Sequence, residues 1–245
     1  ADDFVFTPPA DLIYSGSKKE ATVKAKEGVS CGKITVKYYN SNGNKLSAAP
    51  TDAGDYTVKI DVAESDEYNS LSNFTESSWK FTINPRTLTE NDVTVSGLES
   101  NYIFNGNSQK PVYEVKYGDI TLVPGKDYTA YYDENIKGTG TTSVIFKGNY
   151  TGKVSYTFEI DYGTADDSMY TVPAANENGW HNENITVRAN SGYKIGTNDS
   201  DFSDSVLITE ESQNGSLNIF IKSDENGNVY KGKISYKLDK TAPEN

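Results

Sequence analysis

The chain has 245 residues, a net charge of −12 and a sequence pI near 4.6, with 35% hydrophobic and 12% aromatic residues. That much apolar and aromatic character excludes a disordered acidic tail, and the negative surface repels phosphate and anionic lipid, so neither nucleic acid nor membrane insertion is expected. One Cys and one His cannot supply the three or four ligands of a zinc site, and Cys31 has no intrachain partner for a disulfide.

From the N-terminus, Ala1-Asp2-Asp3 has neither the basic end nor the apolar run of a signal peptide, and no stretch of about 18 apolar residues follows. The chain reads as soluble and already trimmed. Bulky and polar residues then alternate at 34–38, 56–60 and 79–83, and again at 143–146, 156–160 and 234–238. A period of two puts the bulky set on one face of a pleated strand, so these segments predict half-buried strands over a core. Asn40-Ser41-Asn42-Gly43, Val123-Pro124-Gly125, Gly148-Asn149 and Asp224-Glu225-Asn226-Gly227 supply the turns between them. Residues 65–71 could form no more than a loop or one helical turn. The expected fold class is all-β.

The chain also repeats. Ile13-Tyr14-Ser15-Gly16 is echoed by Ile103-Phe104-Asn105-Gly106, and the strand at 79–83 by the strand at 156–160. Asp52-Ala53-Gly54-Asp55-Tyr56 leads into a central strand as Ile136-Lys137-Gly138-Thr139-Gly140 does. Two related modules, 1–84 and 85–161, are expected to meet at Asn84-Pro85-Arg86, where proline stops a strand ladder. Residues 162–245 form a third, divergent β module, and the net charge divides as −3, −3 and −6. Ig-like sandwich and grasp-like arrangements both fit, in an elongated tandem array.

The first two modules resemble the tandem bacterial Ig-like, or MBG-type, repeats of Gram-positive gut-bacterial surface proteins. The residues that carry the resemblance are the aromatic-x-Gly openings, Asp52-Ala53-Gly54-Asp55-Tyr56-Thr57-Val58, Gly148-Asn149-Tyr150-Thr151-Gly152 and the connector Ile83-Asn84-Pro85-Arg86-Thr87-Leu88. Leu238-Asp239-Lys240-Thr241-Ala242-Pro243 is similar to a linker that opens a further Ig-like domain. The resemblance implies a non-catalytic structural or adhesive segment, spacer or stalk, outside the cell, with neighbouring domains in a longer chain. It carries no catalytic residues over.

Few side chains suggest chemistry. Trp180, with His181 beside it and Tyr193 nearby in sequence, could form an aromatic platform for a host or cell-wall glycan, or for a protein. The simpler reading packs Trp180 at the start of a strand and leaves His181 as a loop residue that caps one. Asp199 and Asp201 at alternate positions, with Asp204 three further on, are spaced as an oxygen-rich calcium loop could be, but without the glycine and terminal glutamate of an EF-hand. A solvated acidic loop with no cofactor is the simpler expectation. Two further functions compete with the spacer: a carbohydrate-binding module, and ancillary β domains of a larger secreted glycoside-active enzyme.

Overall fold

A computed structural model describes residues 3–241, so Ala242 and Pro243 of the linker-like C-terminal segment lie outside the described residues. The described chain is all-β. The first strands are β1 (Phe4–Thr7), β2 (Thr22–Ala25), β3 (Ile34–Asn40), β4 (Gly54–Val62), β5 (Leu71–Phe74), β6 (Lys80–Ile83) and β7 (Arg86–Thr87). A 3-10 turn at Glu90–Asp92 precedes β8 (Val93–Ser96), β9 (Asn101–Ile103), β10 (Glu114–Tyr117), β11 (Ile120–Thr121) and β12 (Tyr128–Tyr132). Then come β13 (Gly138–Phe146), β14 (Tyr150–Thr151), β15 (Lys153–Asp161), β16 (Gly163–Thr164) and β17 (Tyr170–Thr171). The last strands are β18 (Ile185–Ala189), β19 (Tyr193–Gly196), β20 (Ser205–Ile208), β21 (Ser212–Ser223) and β22 (Val229–Leu238).

The six alternating segments fall in β3, β4, β6, β13, β15 and β22, with Trp79 one residue ahead of β6. Residues 65–71 form no helix: the Ser65 hydroxyl accepts the Tyr68 N–H at 3.1 Å as an N-cap would, but the chain enters β5 at Leu71. The 3-10 turn carries no periodicity that could reveal it. It is pinned by the Asp92 carboxylate, which accepts the Thr89 N–H at 2.8 Å and the Thr89 hydroxyl at 2.6 Å.

The described chain divides into two compact units, one of the described residues up to 96 with 114–131 and 143–155, the other of 97–113, 132–142 and the described residues from 156 onward. In the first, β4 is central. It pairs with all seven residues of β3 on one side, while on the other β6 covers Gly54 to Thr57 and β5 covers Ile60 and Val62. Alternation aims Tyr56, Val58, Ile60 and Val62 at the core, where Phe4 of β1 and Val23 of β2 close the opposite layer. Trp79, 2% exposed, fills the centre, stacked on Phe6 at 6.0 Å and edge-on to Phe74 at 5.5 Å. Tyr38 and Tyr39 divide between faces as adjacent strand residues must. Tyr38 is buried with its hydroxyl on the Ala21 backbone, whereas the Tyr39 ring lies outside under Lys59 Nζ at 4.5 Å.

The second unit is built on the long β21–β22 hairpin, flanked by β16 and β19. A second layer, β17-β18-β20, packs Ile185, Val187 and Ile208 against Ile195, Ile219, Ile221 and Ile234 of the first. β9 also belongs to this unit, parallel to the end of β15, with Ile103 opposite Asp161.

Burial of one large ring among three others makes Trp79 the most costly single side chain to truncate in the first unit. Trp79→Ala should destabilise it by about 3–5 kcal/mol in urea unfolding monitored by circular dichroism; a loss below about 1 kcal/mol would show that the ring is not packed as described.

Candidate functional site

The aromatic platform is not assembled. Trp180 lies half-buried in the loop between β17 and β18, its N–H donating to Asn176 Oδ1 at 2.9 Å. His181 continues that loop into a parallel bridge with Leu238: its N–H donates to Lys237 O at 2.9 Å and its carbonyl accepts the Asp239 N–H at 3.0 Å. Both residues therefore sit at the C-terminal end of β22. Tyr193 begins β19 opposite Ser223, at the other end of β21, and packs its ring on the isoleucine core. Between Ser212, which faces Leu238, and Ser223 lie eleven steps of strand, about 35 Å at a rise of about 3.3 Å per residue. Tyr193 cannot share a ligand with Trp180 and His181 across that span.

The three aspartates are likewise drawn apart. The Asp199 carboxylate accepts the Tyr162 hydroxyl and faces Lys137 Nζ at 3.3 Å. The Tyr162 hydroxyl holds the Asp199 carboxyl below its ordinary range, and hydrogen bonding to Tyr162 raises Lys137. Asp204 pairs with Lys194 at 2.6 Å, and the same bond lowers its carboxyl. Asp201 is exposed, its N–H turned onto Asn198 Oδ1 at 2.8 Å. Among the described residues no three His, Cys, Asp or Glu side chains are gathered as a metal would need. Lys137 and Lys194 each take one of the carboxylates, Asp199 and Asp204, as an ion-pair partner.

Two strand connections, which fall at the module boundaries expected from the sequence, carry the most organised geometry. At Asn84-Pro85-Arg86 the chain leaves β6, and β7 pairs in parallel with β14, Arg86 opposite Tyr150 and Thr87 opposite Thr151. The Arg86 and Leu88 N–H groups donate to Asn149 O at 3.0 Å and Thr151 O at 2.8 Å. At Asp161-Tyr162-Gly163 the chain leaves β15 in the same way, and β16 pairs in parallel with β22, Gly163 opposite Tyr230 and Thr164 opposite Lys231. There the Ala165 N–H donates to Lys231 O at 3.0 Å.

The opening aromatics complete both connections. The Tyr14 N–H donates to Asn84 O at 2.9 Å, and the Tyr14 carbonyl accepts Arg86 Nε–H at 3.0 Å. The Phe104 N–H donates to Asp161 O at 2.8 Å, and the Phe104 carbonyl accepts the Val229 N–H at 2.8 Å. Tyr14 meets Tyr150 edge-on at 5.4 Å, as Phe104 meets Tyr162 at 5.6 Å. Asn149 adds side-chain bonds in the first, accepting the Ala53 N–H at 2.7 Å and donating to Asp52 at 2.9 Å. Close backbone approach demands glycine: a Cβ on Gly152 would stand 2.4 Å from Leu88 O, and one on Gly163 2.4 Å from the Tyr230 ring. The sequence signals for the equivalence are the echoed openings at 13–16 and 103–106, the echoed closing strands at 79–83 and 156–160, and an Asn/Asp three residues ahead of a threonine in Asn84-Pro85-Arg86-Thr87 and Asp161-Tyr162-Gly163-Thr164.

No protein-family model and no curated protein matches the chain. Among solved structures it is similar to a tetra-tandem repeat in the extending region of a large adhesion protein, with 12% identity over 98% of this chain and 75% of that chain and a TM-score of 0.33. It is also similar to the N-terminal four Ig domains of Dscam1 isoform 7.44, with 9% identity over 96% of this chain and 99% of that chain and a TM-score of 0.18. TM-scores this low leave the overall arrangements different, so neither likeness assigns a role.

Burial first, and the neighbouring Tyr14 second, push the Tyr150 phenol up to about 12. The fold thus favours the neutral phenol, and the stability this contributes is complete below the unfolded value near 10 and lost as pH rises through about 12. In thermal unfolding between pH about 10 and about 12, the wild-type midpoint should fall more steeply than that of Tyr150→Phe. Parallel curves would place the Tyr150 hydroxyl in solvent.

Proposed function

We propose that residues 1–84, 85–161 and 162–245 are three β modules of a non-catalytic spacer or stalk, carried outside the cell on an exported bacterial surface protein. The observation that supports this reading is the repeated connection. A flexible linker would leave its backbone to water. Here each closing strand passes its hydrogen bonds to the following hairpin within two residues, so bending at the connection would break backbone bonds and separate packed rings. Stiffness is what a spacer needs and what a linker between independent domains lacks.

His181 is engaged through its backbone at a strand bridge, and Asp199 and Asp204 are held by lysines. No helix among the described residues is long and apolar enough to cross a membrane. The likeness of the first two repeats to Gram-positive surface modules supports the exported location and the presence of further domains in the natural protein.

Small-angle X-ray scattering tests the reading. A compact globule of this length has a radius of gyration of about 18 Å. The spacer reading predicts a value well above that, with a pair-distance distribution skewed to long distances, and Gly152→Ala should broaden the distribution by forcing β7 from β14. A value near about 18 Å would contradict it.

A further inference from the structure

In this acidic chain one sheet face carries the opposite charge. Neither β21 nor β22 contains an aspartate or glutamate, although the chain has 35. Period two sets Lys231, Lys233, Ser235 and Lys237 on one side of β22, and the register places Phe220, Asn218 and Ser216 of β21 beside the first three. All three lysines are exposed, and the ion pairs among the described residues use other lysines. Two of them lean over rings instead: Lys231 Nζ stands 5.9 Å from the Phe220 centroid and Lys237 Nζ 5.9 Å from that of Trp180.

Between Lys233 and Lys237 the opposed pair Ser216 and Ser235 is small, and an open groove of about 370 Å³ lies there. Its rim is completed by Gln213, Asn214 and Gly179. The side chains that line it are amides, hydroxyls and two ammonium groups, with one tyrosine and neither aliphatic nor carboxylate groups. Small-molecule pockets are typically apolar, so this lining suits a different ligand. Amides and hydroxyls match the hydroxyls of a sugar, the half-buried Trp180 ring borders the groove beside Gly179 and Lys237, and the ammonium groups recognise the anionic substituents of a sugar. Lys233 and Lys237 stand about 13 Å apart along the strand, which favours successive charges on a chain over a single ion.

We propose that this groove binds an acidic saccharide, carboxylated or sulfated, through Lys233 and Lys237, with Trp180 at one end. This binding function is additional to the spacer role and survives or fails separately from it, because scattering reads shape and titration reads the groove. The strongly negative remainder of the chain disfavours a long nucleic-acid duplex at the same face.

The test is an NMR titration of the full chain with tetragalacturonate and with a heparin tetrasaccharide, using maltotetraose as the neutral control. Expected are shifts confined to residues 179–180, 213–218 and 231–237 with at least one acidic probe, weakened by salt and absent with maltotetraose. Which acidic probe binds tells carboxylate from sulfate recognition. The double variant Lys233→Gln/Lys237→Gln should lose about tenfold or more in affinity with an unchanged unfolding midpoint, and Trp180→Ala should weaken binding without changing its salt dependence. Any of four results would overturn the proposal: no shift with either acidic probe, undiminished binding by the double variant, equal binding of a dT oligonucleotide, or salt-sensitive self-association in sedimentation that occupies the face with a second copy.

Discussion

A strand that leaves its sheet exposes backbone donors and acceptors that must find partners at once, and both connections in this chain satisfy that demand in the same way. After Ile83, proline at 85 removes one donor and prevents the ladder from continuing. Arg86 and Leu88 then donate to Asn149 and Thr151, in a parallel pairing that differs from the antiparallel ladder just left. After Asp161, no proline is present. Gly163 instead lets the chain lie flat against Tyr230, where a side chain would collide with the ring. Two different residues thus solve one geometric problem.

What surrounds each connection follows from that pairing. Parallel strands two residues long bring little stability alone, so side chains must seal them. At the first, Tyr14, Tyr150 and Tyr117 form an edge-on series, with the Arg86 guanidinium 5.9 Å from the Tyr117 ring. At the second, Phe104, Phe158, Ile160 and Val229 form a buried cluster with Tyr162 and Phe220 packed on it. The tyrosine abundance, which the composition alone could only mark as incompatible with disorder, is partly accounted for here: tyrosine gives ring area for packing while its hydroxyl reaches a polar partner, as Tyr162 does with Asp199.

The fold class was legible because alternation is a local signal. Tyr56, Val58 and Ile60 face one core whatever the rest of the chain does. The strand pairings at the connections were not, since Arg86-Thr87 and Gly163-Thr164 are too short to have a period and their partners lie over 60 residues away. The candidate platform misled for a related reason. Trp180 and Tyr193 are thirteen residues apart in sequence, but β18 intervenes and carries the chain to the opposite end of the sheet. The lysine partners of the aspartates could not be read, because Lys137 and Lys194 come from other elements. The alternation at 234–238 holds only Lys237 of the basic face of β22, and net charge summed over the third module, −6, concealed Lys231 and Lys233 ahead of it.

If the connections belong to the folded structure and are not linkers, their amides must resist exchange as sheet amides do. Native-state hydrogen exchange read residue by residue by NMR examines this directly, at the N–H groups of Leu88 and Ala165. The account predicts protection of both within about tenfold of Val58 and Ile219 at the centres of the cores. Exchange of both at the rate of an exposed loop would contradict it.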